Sequence, residues 1–300
     1  MLSNRTLAGV LTVALLLTAV SLPGQTLEFR GNPGRPVTGN YSVSAPVEIT
    51  RTVTIRHRQA ATDYTLTVSP GSSIRSAQHQ QGSASLEYQI LDAATGQPLS
   101  DSYRINGSFP ASGNQWQVRE YDLVFRLLPG QLPMAGRYED SPVLELYIGT
   151  QDTGQLADDS IINLRIDMDE VIDMQITPAG SGYGSGSTFY ELNFENLLPH
   201  TAQQVDLGVL ANTPYNVLVQ SQNAANLRES ISGDTVAYRF RFDGSPVDLA
   251  SGTPVTAAAS LAPTGSNGRT HTLQLEILPY TELPAAGTYQ DEINITIEAP

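Results

Sequence analysis

The stretch SIINLRIDMDEVIDMQIT, residues 160–177, decides how the chain divides. Ile162, Leu164, Ile166 and Met168 share one parity, and Ile172, Met174 and Ile176 keep it beyond Asp169–Glu170. Such alternation marks a strand with one apolar face. As a single strand, residues 162–176 would span about 50 Å at ~3.3 Å per residue, too long for a small domain. The stretch therefore splits at Asp169–Glu170. Its first half closes one domain and its second half opens the next.

Internal repeats support the division. TDYTLTVSPGSS (62–73) faces TPYNVLVQSQNA (213–224), and LEYQILDAATGQPL (86–99) faces VAYRFRFDGSPVDL (236–249). LVFRLLPGQLPMAGRYED (123–140) faces LQLEILPYTELPAAGTYQD (273–291). The offset is 150 or 151 residues throughout: Tyr64 to Tyr215, Tyr88 to Tyr238, Tyr138 to Tyr289. Two copies at this period are tandem domains, since a solenoid needs more and shorter units. Each copy is a series of short alternating runs broken by turn residues, without a useful amphipathic helix. The pattern predicts an all-β chain of two tandem immunoglobulin-like β-sandwiches, with a barrel as the alternative. The expected divisions are 1–24, 25–169 and 170–300.

Composition narrows the function. There is no cysteine, and the 16 basic residues are all arginine, so thiolate and lysine chemistry are excluded. The net charge of −14 argues against nucleic acid as a partner. Residues 1–24 read as a signal peptide, with MLSNR before the apolar TLAGVLTVALLLTAVSL, and imply export. A membrane anchor is the alternative.

The two copies differ where they end. After PMAGRYEDSPVLELY (133–147) the chain continues. After PAAGTYQDEINITIEAP (284–300) it stops. Ile293, Ile295 and Ile297 alternate with polar residues and read as a strand with an oily face. The second domain is thus expected to lack its last strand, leaving an open edge and an apolar groove lined by these three residues.

TPYNVLV, AYRFRFDG and above all LPAAGTYQDEINITIEA resemble the spore coat protein U domain, the subunit type of archaic, Csu-type chaperone–usher pili. The resemblance is clear over roughly 170–300 and reaches 27–165 mainly through the internal repeat. The cysteine pair usual in that family is missing here. What the resemblance implies is a pilin-like second domain whose missing strand comes first from a periplasmic chaperone and then, at an outer-membrane usher, from a neighbouring pilin subunit. This is β-strand addition. The segment after the leader, QTLEFRGNPGRPVTGNYS (25–42), has too few alternating residues and too many Gly and Pro to act as a donor. A subunit that accepts and cannot donate belongs at the fibre tip, with its first domain attaching to an abiotic or host surface. Trp116, Phe109 and Pro110, in the turn-rich NGSFPASGNQWQV (106–118), are the adhesive candidates. Phe109 matches Leu261 in the second copy, which favours a structural anchor over binding, and Trp116, without an aromatic counterpart there, has core or sheet-edge packing as its alternative.

Two other functions fit less well: a pilus or coat subunit with no adhesive role, and a secreted carbohydrate-binding module. An enzyme is not expected. His57, His79, His200 and His271 are scattered, no nucleophile elbow is present, and GSGYGSGS (180–187) precedes no helix. Asp167, Asp169 and Asp173 do not make a calcium loop. No metal or cofactor is implied.

Overall fold

A computed structural model describes residues 26–300 except Ser44, Gln151 and Ser185. The expected signal peptide lies outside the described residues. No helix forms among those described. The first half holds β1 (Thr26–Phe29), β2 (Val37–Tyr41), β3 (Val47–Gln59), β4 (Thr62–Ser69), β5 (Arg75–His79), β6 (Ser85–Asp92), β7 (Ile105–Phe109), β8 (Gly113–Leu127), β9 (Gly136–Asp140), β10 (Val143–Ile148), β11 (Gln155–Ile161) and β12 (Leu164–Met168). The second holds β13 (Ile172–Pro178), β14 (Ala202–Ala211), β15 (Tyr215–Ser221), β16 (Asn226–Glu229), β17 (Thr235–Phe242), β18 (Ser245–Val247), β19 (Val255–Leu261), β20 (Arg269–Ile277), β21 (Tyr289–Gln290) and β22 (Ile293–Glu298).

The strands make two sandwiches with separate cores. In the first, the sheet β1-β3-β8-β6-β5-β9-β12-β2 faces the sheet β11-β10-β4-β7. In the second, β13-β14-β20-β17-β16-β21 faces β19-β15-β22, with β18 paired to β17. One cluster of buried side chains runs from Leu27 to Met168 and the other from Val205 to Ile277. The sheets of the second sandwich are those of the first without β2, β11 and β12.

The doubled motif A-G-x-Y-x-D has a physical role common to both copies. Tyr138 donates its hydroxyl to the Met134 carbonyl at 2.5 Å, and Tyr289 does the same to Ala285 at 3.0 Å. At the aspartate the strand leaves one sheet and enters the other. Asp140 accepts from the Ser141 amide and from the Tyr88 hydroxyl, and Asp291 accepts from the Glu292 amide and the Tyr238 hydroxyl. Both Tyr–Asp contacts are 2.6 Å. The carboxylate takes up the amide that the sheet switch would otherwise leave without a partner.

These phenols give the fold an alkaline limit. Burial, and then the hydrogen bond to aspartate, hold Tyr88 and Tyr238 above the usual phenol range, and burial pushes Tyr138 up to about 12. Above about pH 10 the unfolded chain releases phenolic protons that the folded chain keeps. Stability is therefore expected to be flat with respect to these groups below about pH 10 and to fall above it. Denaturant midpoints taken at about pH 8 and pH 11 check this, and Tyr88→Phe should lessen the fall.

Candidate functional site: an uncovered strand edge

The closed first sandwich carries a strand pair along one edge that has no counterpart among the described residues of the second. Its strand β9–β10 crosses between sheets, and β11–β12 follows it antiparallel along its whole length. One register runs across the sheet switch, with Gly136 opposite Met168, Asp140 opposite Leu164 and Val143 opposite Ile161, and it shifts by one residue at a bulge between Leu146 and Tyr147, which leaves Ile148 opposite Gln155. The Ile162 amide donates to the Pro142 carbonyl at 2.8 Å across the switch. The closing strand is thus longer than the expected 162–168. Its first half covers β10, and its second half covers β9 in the other sheet. Ile162, Leu164, Ile166 and Met168 all point into the core and are buried. On its far side β12 pairs with β2 in parallel, Leu164 opposite Val37 and Met168 opposite Tyr41.

In the second sandwich β21–β22 repeats β9–β10. Ile295 lies opposite Val219 on β15 just as Leu144 lies opposite Val68 on β4. Among the described residues nothing pairs with the outer edge of β21 or β22. The side chains record the difference. Leu144 and Leu146 are fully buried, whereas Ile293, Ile295 and Ile297 are only half-buried against the second core. Tyr138 is buried and its counterpart Tyr289 half-buried. In the first core, buried members outnumber half-buried ones, and in the second the order reverses. Ile293, Ile295 and Ile297 therefore stand together on one face of a free edge.

The other wall of this opening was not foreseen. Residues 188–200 occupy the chain position of β2, which β12 holds in the first sandwich. They form no strand, yet Leu192, Phe194 and Leu197 lean half-buried on the core, and Phe189 stays 77% exposed. The alternation of Leu192 with Phe194 was the available signal. Without the partner that β12 gives β2, it yields no ladder.

The adhesive candidates separate. Phe109 is 2% exposed, stacks on His57 and packs tilted against Tyr64, so it belongs to the core. That is the structural anchor its match with Leu261 suggested. Pro110 is exposed in the turn between β7 and β8. Trp116 lies within β8 and not in a loop, 38% exposed, with the guanidinium groups of Arg56 and Arg58 at 4.2 and 4.7 Å from the ring centroid. The turns at 60–61 and 110–112 and the facing ends of β10 and β11 gather at the end of the sandwich opposite Met168, because Ile148 pairs with Tyr64 and with Gln155, and Thr62 with Phe109.

The histidines do not converge. His271 bridges Asp243 at 2.7 Å and the Tyr215 hydroxyl at 2.9 Å, but His271 and Tyr215 are both buried and offer a substrate no access. Asp167 is paired with Arg137, and Asp173 accepts from Tyr183.

No family model matches the chain, and no curated protein does. The spore coat protein U resemblance thus rests on its motifs alone. Solved structures do match in outline. A chaperone–tip subunit pre-assembly complex from the archaic chaperone–usher Csu pili of Acinetobacter baumannii is 15% identical, covering 91% of this chain and 100% of that one, with a TM-score of 0.43. CfaE, the adhesive subunit of CFA/I fimbria of enterotoxigenic Escherichia coli, is 11% identical, covering 90% and 93%, with a TM-score of 0.38. The CupB6 tip adhesin of Pseudomonas aeruginosa is 11% identical, covering 91% and 94%, with a TM-score of 0.32.

Proposed function

We propose that the chain is a subunit of a chaperone–usher type surface fibre that accepts a strand along β21–β22 and attaches through its first domain at the fibre tip. The free edge beside half-buried Ile293, Ile295 and Ile297 carries the reading. The same edge in the first domain is closed by a strand bearing four buried apolar side chains. Burying such side chains contributes about 1.5–3 kcal/mol each, and pairing satisfies the edge amides and carbonyls. A periplasmic chaperone supplies the strand in transit and a neighbouring pilin subunit replaces it at the usher. The chain's own β1 is not free to serve as a donor. It pairs with β3, Thr26 opposite Arg58, and buries Leu27 and Phe29 in the first core.

Attachment falls to the end of the first domain opposite the linker, where Pro110, Ala111 and Ala60 are exposed and Trp116 stands nearby in contact with two arginines. Fibres carrying Trp116→Ala are expected to assemble normally and to attach less to apolar or abiotic surfaces. Counting attached cells against fibres per cell separates the two. Unchanged attachment removes Trp116 from the contact. Each arginine–indole contact contributes about 0.5–1 kcal/mol, so the variant should melt only slightly lower.

A further inference from the structure

The joint between the two domains rests on few groups. Asn212, in the turn after β14, is buried. Its side-chain oxygen accepts from the Val171 amide at 2.7 Å, and its side-chain nitrogen donates to the Asp169 carbonyl at 3.0 Å. Its own carbonyl accepts from the Ala135 amide at 2.9 Å. The turn 212–214 of the second domain thereby seats on residues 79–81 and 134–136 of the first. They enclose a shallow cavity that Met168 and Asp169 also line.

The repeat places the same pole on the second domain. Residues 79–81 correspond to 229–231, and 134–136 to 285–287. The local build is shared. A Cβ on Gly136 would lie 2.4 Å from the His79 ring, and one on Gly287 would lie 2.6 Å from Glu229, so both glycines let the strand start pack against the turn. The Glu229 carboxylate holds its turn by accepting from the amides of Ile231 and Ser232. That turn presents Ile231, where the first copy has Gln81, at 94% exposure. Leu283, whose counterpart Leu132 is half-buried, is 88% exposed. Among the described residues no large hydrophobic side chains are more exposed than these two.

Resting on the strand-accepting reading above, we propose that this pole, marked by Ile231, Leu283 and residues 285–287, is the docking face for the folded domain of the subunit that supplies the strand. The direction of the closing strand argues for that occupant. β12 ends with Met168 opposite Gly136, and after three intervening residues the next sandwich begins at Ile172. A supplied strand in the same register ends opposite Gly287, which puts the domain behind it on this pole. Two large apolar side chains left exposed toward one pole suit a surface that a partner covers. The Ala286 amide, in the place of Ala135, would donate to the incoming turn's carbonyl.

The test extends the full chain after Ala299 with a second copy of residues 149–299 and a last copy of residues 149–168. The appended segment repeats the closing hairpin of the first domain, hangs a third sandwich from the second, and leaves no groove open. The expected result is a protease-resistant new joint. Ile231→Asp combined with Leu283→Asp should raise cleavage there at least about tenfold, because cleavage tracks the open population of the joint. The melting of the second domain and the native joint at 169–171 should not change. Equal protection in parent and variant overturns the docking face. Failure of the appended strand to raise the melting temperature of the second domain overturns the strand-accepting reading itself, and the docking face with it.

Discussion

A chain extended after Ala299 by its own residues 149–168 is expected to melt in its second domain at least about 10 °C above the unextended chain, while the first domain is unchanged. A net gain of ~3 kcal/mol would suffice for a shift of that size in a domain of this length. The source of the gain is visible in the first domain, where Ile162, Leu164, Ile166 and Met168 fill the space between β9–β10 and β2. The same segment offered to β21–β22 meets the same register and a wall of three isoleucines. Without it, the second domain should associate through its free edge. Scanning calorimetry on both chains resolves the two transitions. A second transition that does not move would mean that the edge needs no partner.

Removing the same methyl groups from the two copies is expected to have unequal effects. Leu144→Ala opens a cavity in a closed core and should cost about 2–5 kcal/mol. Ile295→Ala, at the matching position, removes a side chain that is already half-exposed, so its cost should be about 1 kcal/mol in the unextended chain. In the extended chain the cost should rise toward that of Leu144→Ala. The difference between the two costs is the coupling of Ile295 to the supplied strand, measured as a double-mutant cycle. Equal costs in both chains would show that the strand and Ile295 do not meet.

The halves of the chain were legible because the repeat and the strand period act together. Tyr88 and Tyr138 recur with their hydrogen-bonding partners, and alternation named the buried face of β12 correctly. β11 escaped because it is an edge strand that turns little toward the core. Its Asp158 accepts from the Phe29 amide, Asp159 is exposed, and Leu156 and Ile161 face outward, so the apolar parity reads as noise. The closing strand therefore looked half its true length. Trp116 looked like a loop residue because Gly113 and its neighbours are turn formers. The turn in fact ends at Gly113, where φ is +57°, and a strand of 15 residues starts there. The docking pole could not be read from sequence, because it depends on which turns the topology brings beside Gly136 and Gly287.

The open edge itself can be observed by hydrogen exchange on the full chain, residue by residue along β10 and β22. Every second amide of β22 points away from β15, and along β10 the corresponding amides are bonded to β11. The expected result is slow exchange throughout β10, and fast exchange at the outward amides of β22 that becomes slow when the chain carries the appended residues 149–168. Outward amides of β22 that are already as protected as those of β10 in the unextended chain would contradict an uncovered groove in the second domain.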